Sequence, residues 1–232
     1  MATAFAQNRT APAHDPGLQQ VLQEAHSQRE VFSRQCRLSA KMVNLLKEAG
    51  IYRALVARRF GGDECSPTEF FRRIEQISSV DGSTGWVASF GHSALYLAAL
   101  PITTLEQLYA NGPDVVFAGG IYPPQPAPSV NGGFLVNGRW SWGSGSTGAD
   151  FVGVGIQTDE GNGSGGLPRI AVLPQAKASI VENWNVNGMK GTGSHDIVVK
   201  DIVVPQEWTF IRGGASSIDT PLFQYPSLAI AA

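Results

Sequence analysis

Leu18, Val21, Leu22, Ala25, Val31, Leu38, Met42, Leu45 and Leu46 fall at mostly helical spacing across residues 17–49, and Gly50 follows as a C-cap signal. Phe60-Gly61-Gly62-Asp63 reads as a turn. Ser66-Pro67-Thr68-Glu69 predicts a helix start, with Ser as N-cap, Pro at the first helical position and Glu closing a capping box; Phe70, Ile74 and Ile77 then line one face. Ser83 or Thr84 is expected to cap a third helix through Leu100. That helix is apolar almost all round (Trp86, Val87, Phe90, Leu95, Leu97, Leu100) and is therefore expected to be buried. Thr103 to Glu106 repeats the capping pattern and predicts a short fourth helix.

The pattern changes near Asn111-Gly112-Pro113. Val115–Ala118, Gly133–Val136, Phe151–Gln157, Arg169–Leu173 and Ile197–Val204 are Val- and Ile-rich strand candidates separated by Gly, Asn and Pro. Asp159–Gly166 reads as a glycine-rich hairpin loop, and Asp219–Ala232 as the apolar start of another helix. The expected division is a mobile tail (1–16), an N-terminal helical domain (17–112), a middle β domain (113–212) and the beginning of a further helical domain (213–232). Helices, then strands, then helix again is an α+β order with segregated layers.

Composition narrows the partners. The 232 residues carry a net charge of -2, so no basic field invites nucleic acid or an anionic membrane. No apolar run approaches a membrane span, and residues 1–16 lack the apolar core of a signal peptide. Cys36 and Cys65 have no metal-ligand spacing and suit free thiols in a reducing cytoplasm. Only 16% of residues are charged, which suggests surface buried in a homo-oligomer.

Two glycine-rich turns are the candidate chemistry. Gly143-Ser144-Gly145-Ser146-Thr147-Gly148 matches a dinucleotide fingerprint, but Ala149-Asp150-Phe151-Val152 leads into a strand where a Rossmann loop would open a helix. Gly191-Thr192-Gly193-Ser194 runs into the 197–204 strand, and a turn with free N–H groups can hold an acceptor. Trp140 and Trp142 are expected to face opposite sides of their strand, one in the core and the other free to lie against a planar cofactor. Ser144 is expected on the Trp142 side if the strand continues, where its hydroxyl can meet a flavin ring nitrogen or satisfy the turn. His92, on the apolar third helix, is either a satisfied core residue or a near-neutral base able to share a phenolic proton. His195 faces either solvent or the site.

Phe60-Gly61-Gly62, Asp81-Gly82-Ser83-Thr84-Gly85-Trp86-Val87, His92, residues 132–140, Ser144-Gly145 and residues 184–205 occur in an order that resembles the acyl-CoA dehydrogenase superfamily. The closer likeness, over roughly residues 20–232, is to its flavin-dependent monooxygenase branch, the oxygenase components of two-component aromatic hydroxylases. The resemblance implies a helical domain, a β-barrel or sandwich-like middle domain and a C-terminal four-helix bundle, usually in a tetramer. It implies reduced FMN or FAD supplied by a separate reductase. Ser144 would approach flavin N5, Trp142 and Gly145 would flank the ring, and Thr192, Gly193, Ser194 and Gly119 would border it. Trp86 and His92 would face a small aromatic substrate, with His92 assisting its deprotonation. Oxygen would add at flavin C4a, and the hydroperoxide would pass one oxygen atom to the substrate.

The sequence departs from that pattern in three places. The 117–124 segment lacks the Thr-Glu-Pro and Gly-Ser-Asp elements of acyl-CoA dehydrogenases and the serine of phenol hydroxylases. Gly148 stands where a histidine is frequent. The sequence ends where the C-terminal bundle is expected to begin, and the apolar Leu222, Phe223, Tyr225, Leu228 and Ile230 are expected to lack a packing partner. An acyl-CoA dehydrogenase-like FAD enzyme oxidising a CH–CH bond is the alternative activity, and an inactive flavin-binding remnant the other reading.

Overall fold

A computed structural model describes residues 15–158 and 167–231, with side chains to Ala229. The Asp159–Gly166 loop, most of the N-terminal tail and the Ile230 side chain lie outside the described residues.

The tail reading is corrected at its end: Asp15 accepts a hydrogen bond from the Leu18 N–H, and Pro16 opens helix α1 (Pro16–Gln35). The helical pattern predicted across 17–49 is two helices. Cys36 adopts a left-handed φ of 50° and stops α1, and the Ser39 hydroxyl caps α2 (Ala40–Glu48). Gly50, at φ +71°, ends α2 as expected, with the Ile51 N–H reaching Leu46 O at 3.0 Å and the Gly50 N–H reaching Lys47 O at 2.8 Å. Both halves of the Ser66/Glu69 capping box form at the start of α3 (Pro67–Val80).

The predicted third helix is capped by Asp81, whose carboxylate accepts from the Thr84 N–H at 2.8 Å and its hydroxyl at 2.7 Å. It is also broken: α4 (Gly82–Ser89) passes through a 3-10 turn at Phe90–His92 into α5 (Ser93–Leu97). The chain passes so close to its neighbours there that a Cβ on Gly91 would stand 2.5 Å from Ile51 O. Trp86 escapes the expected burial and is half exposed. Helix α6 (Ile102–Leu108) starts after Pro101 with no side-chain cap; Thr103 lies inside it, and the Thr104 hydroxyl donates to Glu207 O.

Among the described residues eight strands follow: β1 (Phe117–Pro126), β2 (Ser129–Val130), β3 (Gly133–Gly143), β4 (Phe151–Gln157), β5 (Arg169–Pro174), β6 (Ser179–Val181), β7 (His195–Val204) and β8 (Thr209–Ile211). They form two four-stranded sheets, in the orders β1-β4-β5-β8 and β2-β3-β7-β6. Among the described residues only β1 and β4 pair parallel. The arrangement is a sandwich; no closed barrel forms among the described residues, which corrects the barrel alternative.

The first sheet is buried on both faces. Val152, Val154, Ile156, Ala171 and Leu173 pack against Phe134, Val136, Trp140, Ile197 and Val199 of the second sheet. Phe117, Ile170, Val172 and Phe210 join the core of the helical layer. In β4 the valines face the sandwich, while a Cβ on Gly153 would stand 2.3 Å from the Phe117 ring. That double burial explains why β4 and β5 read as near-continuous apolar runs. The Trp140 indole N–H donates to Gly155 O at 2.8 Å and ties the two sheets together.

The last segment is a 3-10 turn at Pro221–Gln224 and helix α7 (Ser227–Ala231). Leu222 and Phe223 are buried in the helical core, correcting the expectation that they lack a partner; Tyr225 is exposed. Among the described residues no helix is long and apolar enough to cross a membrane.

Trp140 and Trp142 give this layout a direct test. Trp140→Ala should lower the unfolding free energy by about 3–5 kcal/mol, the range for emptying a large aromatic site. Trp142→Ala should change it by less than about 0.5 kcal/mol. Urea titrations of the two variants would decide; equal losses would contradict the assignment of one indole to the core and the other to the surface.

Candidate active site

The two glycine-rich turns meet at the end of the sandwich beside α4. In a regular strand Trp140 and Trp142 would share a face, because residues two apart point the same way. A φ of 65° at Trp142 and a register shift between Trp140 and Gly143 break that regularity. Trp140 is fully buried and Trp142 is 69% exposed. The strand ends at Gly143, so the condition on which Ser144 would share the Trp142 face is not met; Ser144 is buried. After it, a 3-10 turn at Ser146–Gly148 leads into β4, so the dinucleotide-like fingerprint is a β–β connection. A Cβ on Gly148 would meet Val43 Cγ2 of α2 at 2.9 Å, so any larger residue there requires the Val43 side chain to shift.

The second turn begins at Met189 (φ 56°), makes a 3-10 turn over Lys190–Thr192 and reverses at Gly193 (φ +56°). A Cβ on Gly193 would stand 2.9 Å from Cys36 O, so this glycine lets the turn close against the end of α1. The Gly145 N–H donates to Thr192 O at 2.8 Å and locks the two turns together. His195 is buried: its Nδ1 accepts from the Trp184 N–H at 3.0 Å and its Nε2 lies 3.0 Å from Cys36 O. Both nitrogens are engaged with backbone, so His195 braces the turn.

A chain of hydroxyls runs through this junction. Thr192 Oγ1 donates to Met189 O at 2.8 Å. Its one proton is thereby committed, so in the 2.7 Å contact with Ser194 Oγ it accepts. Ser194 therefore gives its proton to Thr192 and accepts from Ser144 across 2.7 Å. The Trp86 indole N–H donates to Ser144 Oγ at 3.2 Å. The carbonyl at one end and the indole at the other set the direction of every bond between. Ser144 is left with one unused lone pair and no proton to give.

Trp86 is also a wall of a cavity of about 400 Å³ between the helical layer and the first sheet. Its lining includes Phe71, Trp86, Phe90, Tyr96 and Phe210, with His92, Met189 and Arg212. Successive ring contacts run Trp86–Phe90 (5.8 Å), Phe90–His92 (6.1 Å), His92–Tyr96 (5.5 Å) and Tyr96–Phe210 (6.2 Å). The His92 Nδ1–H donates to Ser89 O in a short bond, which assigns the lone pair to Nε2. Burial holds the His92 pKa below the usual histidine value; the bond to Ser89 opposes this, and the Arg212 charge adds to the depression. Burial raises the Tyr96 phenol well above its ordinary range, so Tyr96 stays neutral.

The structure thus brings Trp86, Ser144, Thr192 and Ser194 into one hydrogen-bonded group, with Trp86 and His92 in one cavity. Gly145 sits against α4, where a Cβ would lie 3.2 Å from Val87. Gly119 lies in β1 opposite Gly153 and is not among the residues lining the cavity. Sequence reasoning missed Arg212, Phe210, Tyr96 and Met189. Phe210 and Arg212 line the cavity two residues apart at the end of β8, a strand too short for its alternation to be recognised.

No family model matches the chain. It is 56% identical over 200 residues to an indole-3-acetate monooxygenase of Pseudomonas putida, a match covering 86% of this chain and 51% of that protein. It is 29% identical over 233 residues to the oxygenase subunit of a Mycobacterium tuberculosis flavin-dependent monooxygenase, covering 95% of this chain and 58% of that protein. The crystal structure of the HsaA monooxygenase from M. tuberculosis superposes with a TM-score of 0.83 at 28% identity, over 93% of this chain and 58% of the other. The chain spans about half the length of the curated relatives it matches.

The depressed His92 pKa has a consequence for stability. The folded-state value lies below the ordinary 6.5 of the unfolded chain. Above that pH the imidazole is neutral in both states and its contribution is complete. As pH falls below it, the unfolded chain takes a proton that the folded site resists, and stability is lost down through the folded value. The melting temperature should therefore fall more steeply between pH 7.5 and 5.5 (both about one unit from that value) in the parent than in His92→Gln. Parallel pH profiles would show that His92 is not held neutral.

Proposed function

We propose that this chain works as the oxygenase component of a two-component flavin-dependent monooxygenase. It would hydroxylate a small aromatic substrate with reduced FMN or FAD delivered by a separate reductase. The observation that carries the reading is the directed hydroxyl chain ending at Ser144, one indole away from an aromatic cavity that contains a neutral histidine. The similarity to the P. putida and M. tuberculosis monooxygenases supports it. The substrate named for the former, an indole carrying an acetate, is an aromatic of the size such a cavity admits.

The residues fit a reduced flavin. Trp142 offers an exposed indole face for a planar ring, and Gly145 and the 192–194 turn border it. The unused lone pair of Ser144 can accept only from a donor. Flavin N5 carries a hydrogen in the reduced form and is a bare acceptor in the oxidised form, so this arrangement selects the reduced one. When bound, the flavin supplies oxygen activation and transfer. The protein's own part is positional: Ser144 holds the ring, Trp86 borders both the ring site and the cavity, and the apolar lining keeps water from the reacting region. His92, its Nδ1 proton tied to Ser89, presents Nε2 as the base for a phenolic O–H or as a hydrogen-bond acceptor for an indole N–H.

We further read the helical, β and terminal segments as the domains 17–112, 113–212 and 213–232 of an acyl-CoA dehydrogenase-like arrangement, working as a homo-oligomer. The free thiols Cys36 and Cys65 suit a reducing compartment.

Anaerobic titration with reduced and oxidised FMN and FAD tests the flavin site, and admission of ¹⁸O₂ with an aromatic substrate tests the reaction. The expected results are tighter binding of a reduced flavin and one labelled oxygen in the product. Equal affinity for both redox forms, or unlabelled product, would overturn the reading. Ser194→Ala frees the Ser144 proton and should reduce the preference for reduced flavin by about two- to tenfold, the effect of one neutral hydrogen bond. An unchanged preference would mean that the hydroxyl chain does not direct Ser144.

A further inference from the structure

We propose that Arg212 is a carboxylate-binding residue that selects aromatic acids for the cavity; the proposal rests on the aromatic-hydroxylase reading of that cavity. Among the described residues that line the cavity, Arg212 is the only cationic side chain, and none is an Asp or Glu. Its guanidinium has no hydrogen-bond or ion-pair partner among the described residues, although it is partly buried. Other arginines of the chain are engaged: Arg53 with Asp114 and Arg139 with Asp196 in ion pairs, and Arg169 with the Thr209 hydroxyl. A guanidinium half withdrawn from water into apolar surroundings loses hydration that only an incoming anion restores in full.

Position supports the same conclusion. Arg212 extends from β8 two residues beyond Phe210, on the same side, and Phe210 closes the series of ring contacts that begins at Trp86. An aromatic ring lying along that series would start from Trp86, pass His92 at its middle and find a cation beyond Phe210. The planar guanidinium fork matches a carboxylate through two parallel hydrogen bonds, which a carboxamide cannot reproduce. The cavity, at about 400 Å³ and with a mainly aromatic lining, suits an arylacetate or similar short-chain aromatic acid.

Equilibrium binding to the 232-residue chain, with no flavin present, tests this without depending on turnover. Naphthalene-1-acetate and its neutral amide share one ring system, and neither offers a ring N–H to His92, so their comparison isolates the acid group. The parent should bind the acid roughly ten- to a hundredfold more tightly than the amide, as expected for a charge-assisted pair. Arg212→Gln should abolish that preference while leaving amide affinity within about twofold, since a neutral ligand gains little from the charge. Arg212→Lys should keep part of the preference and guards against a folding defect in the first variant. Equal affinity of the parent for acid and amide, no binding of either, or a preference that survives Arg212→Gln would overturn the proposal. Reduced-flavin affinity measured separately distinguishes its failure from failure of the monooxygenase reading: a retained flavin preference with no acid preference removes only the role of Arg212.

Discussion

The first β-sheet has no free face, and the rest of the molecule is arranged around that constraint. One side must be covered by the second sheet and the other by helices, because Val152, Val154 and Ile156 point one way while Phe117, Ile170, Val172 and Phe210 complete the helical core. The helical layer is therefore held in fixed relation to the sandwich. The cavity lies along that seam, walled by α3, α4 and α5 on one side and by β1, β5 and β8 on the other. A helix on a mobile linker could not hold Trp86 at hydrogen-bond distance from Ser144. The burial of the sheet's helical side makes that short contact possible, and so connects core packing to the chemistry of the site.

The hydroxyl chain shows how a few weak bonds acquire direction. Any one serine can rotate to donate or accept, and an isolated Ser144 would suit either redox form of a flavin. Thr192 Oγ1 is denied that freedom by Met189 O, which can only accept, and the denial passes through Ser194 to Ser144. Trp86, which can only donate, closes the other end. Each bond contributes about 0.5–1.5 kcal/mol net, and the chain converts that energy into a preference about where a proton lies. It depends on two glycines: Gly193 turns the chain toward Cys36, and Gly145, through its N–H on Thr192 O, holds the two turns in register.

Local signals were legible in the sequence where one residue decides the structure. The Ser66/Glu69 capping box, the left-handed Gly50 and the strand at 151–157 can be read directly, because cap chemistry and β-branched runs act over a few residues. The break in the predicted third helix was not legible: it falls at Gly91, where a Cβ would stand 2.5 Å from Ile51 O and 2.9 Å from the Phe70 ring, neither of which is a sequence neighbour. The burial of Leu222 and Phe223 is likewise tertiary. In the site, the glycine-rich turns marked Ser144 and the 192–194 segment. The opposed positions of Trp140 and Trp142 were expected, but their cause, a left-handed residue in a strand, carries no signature when that residue is a tryptophan. Arg212 was invisible for another reason: a lone arginine beyond a three-residue strand is notable only once its lack of a partner is seen.

His92 and Arg212 are electrostatically coupled, and the coupling has a direction. Burial lowers the proton affinity of the imidazole and the Arg212 cation adds to that effect, so the site holds a neutral but weakened base. An anion on Arg212 would offset the smaller of these two effects, leaving burial, the larger one, and the Ser89 carbonyl as the remaining influences on His92. A substrate carrying a carboxylate would thus strengthen, by its own binding, the base that faces its ring. A neutral aromatic of the same shape would leave the base as weak as before. The charge that selects the acid would then also make the site more reactive toward it, linking specificity and proton transfer through a single side chain.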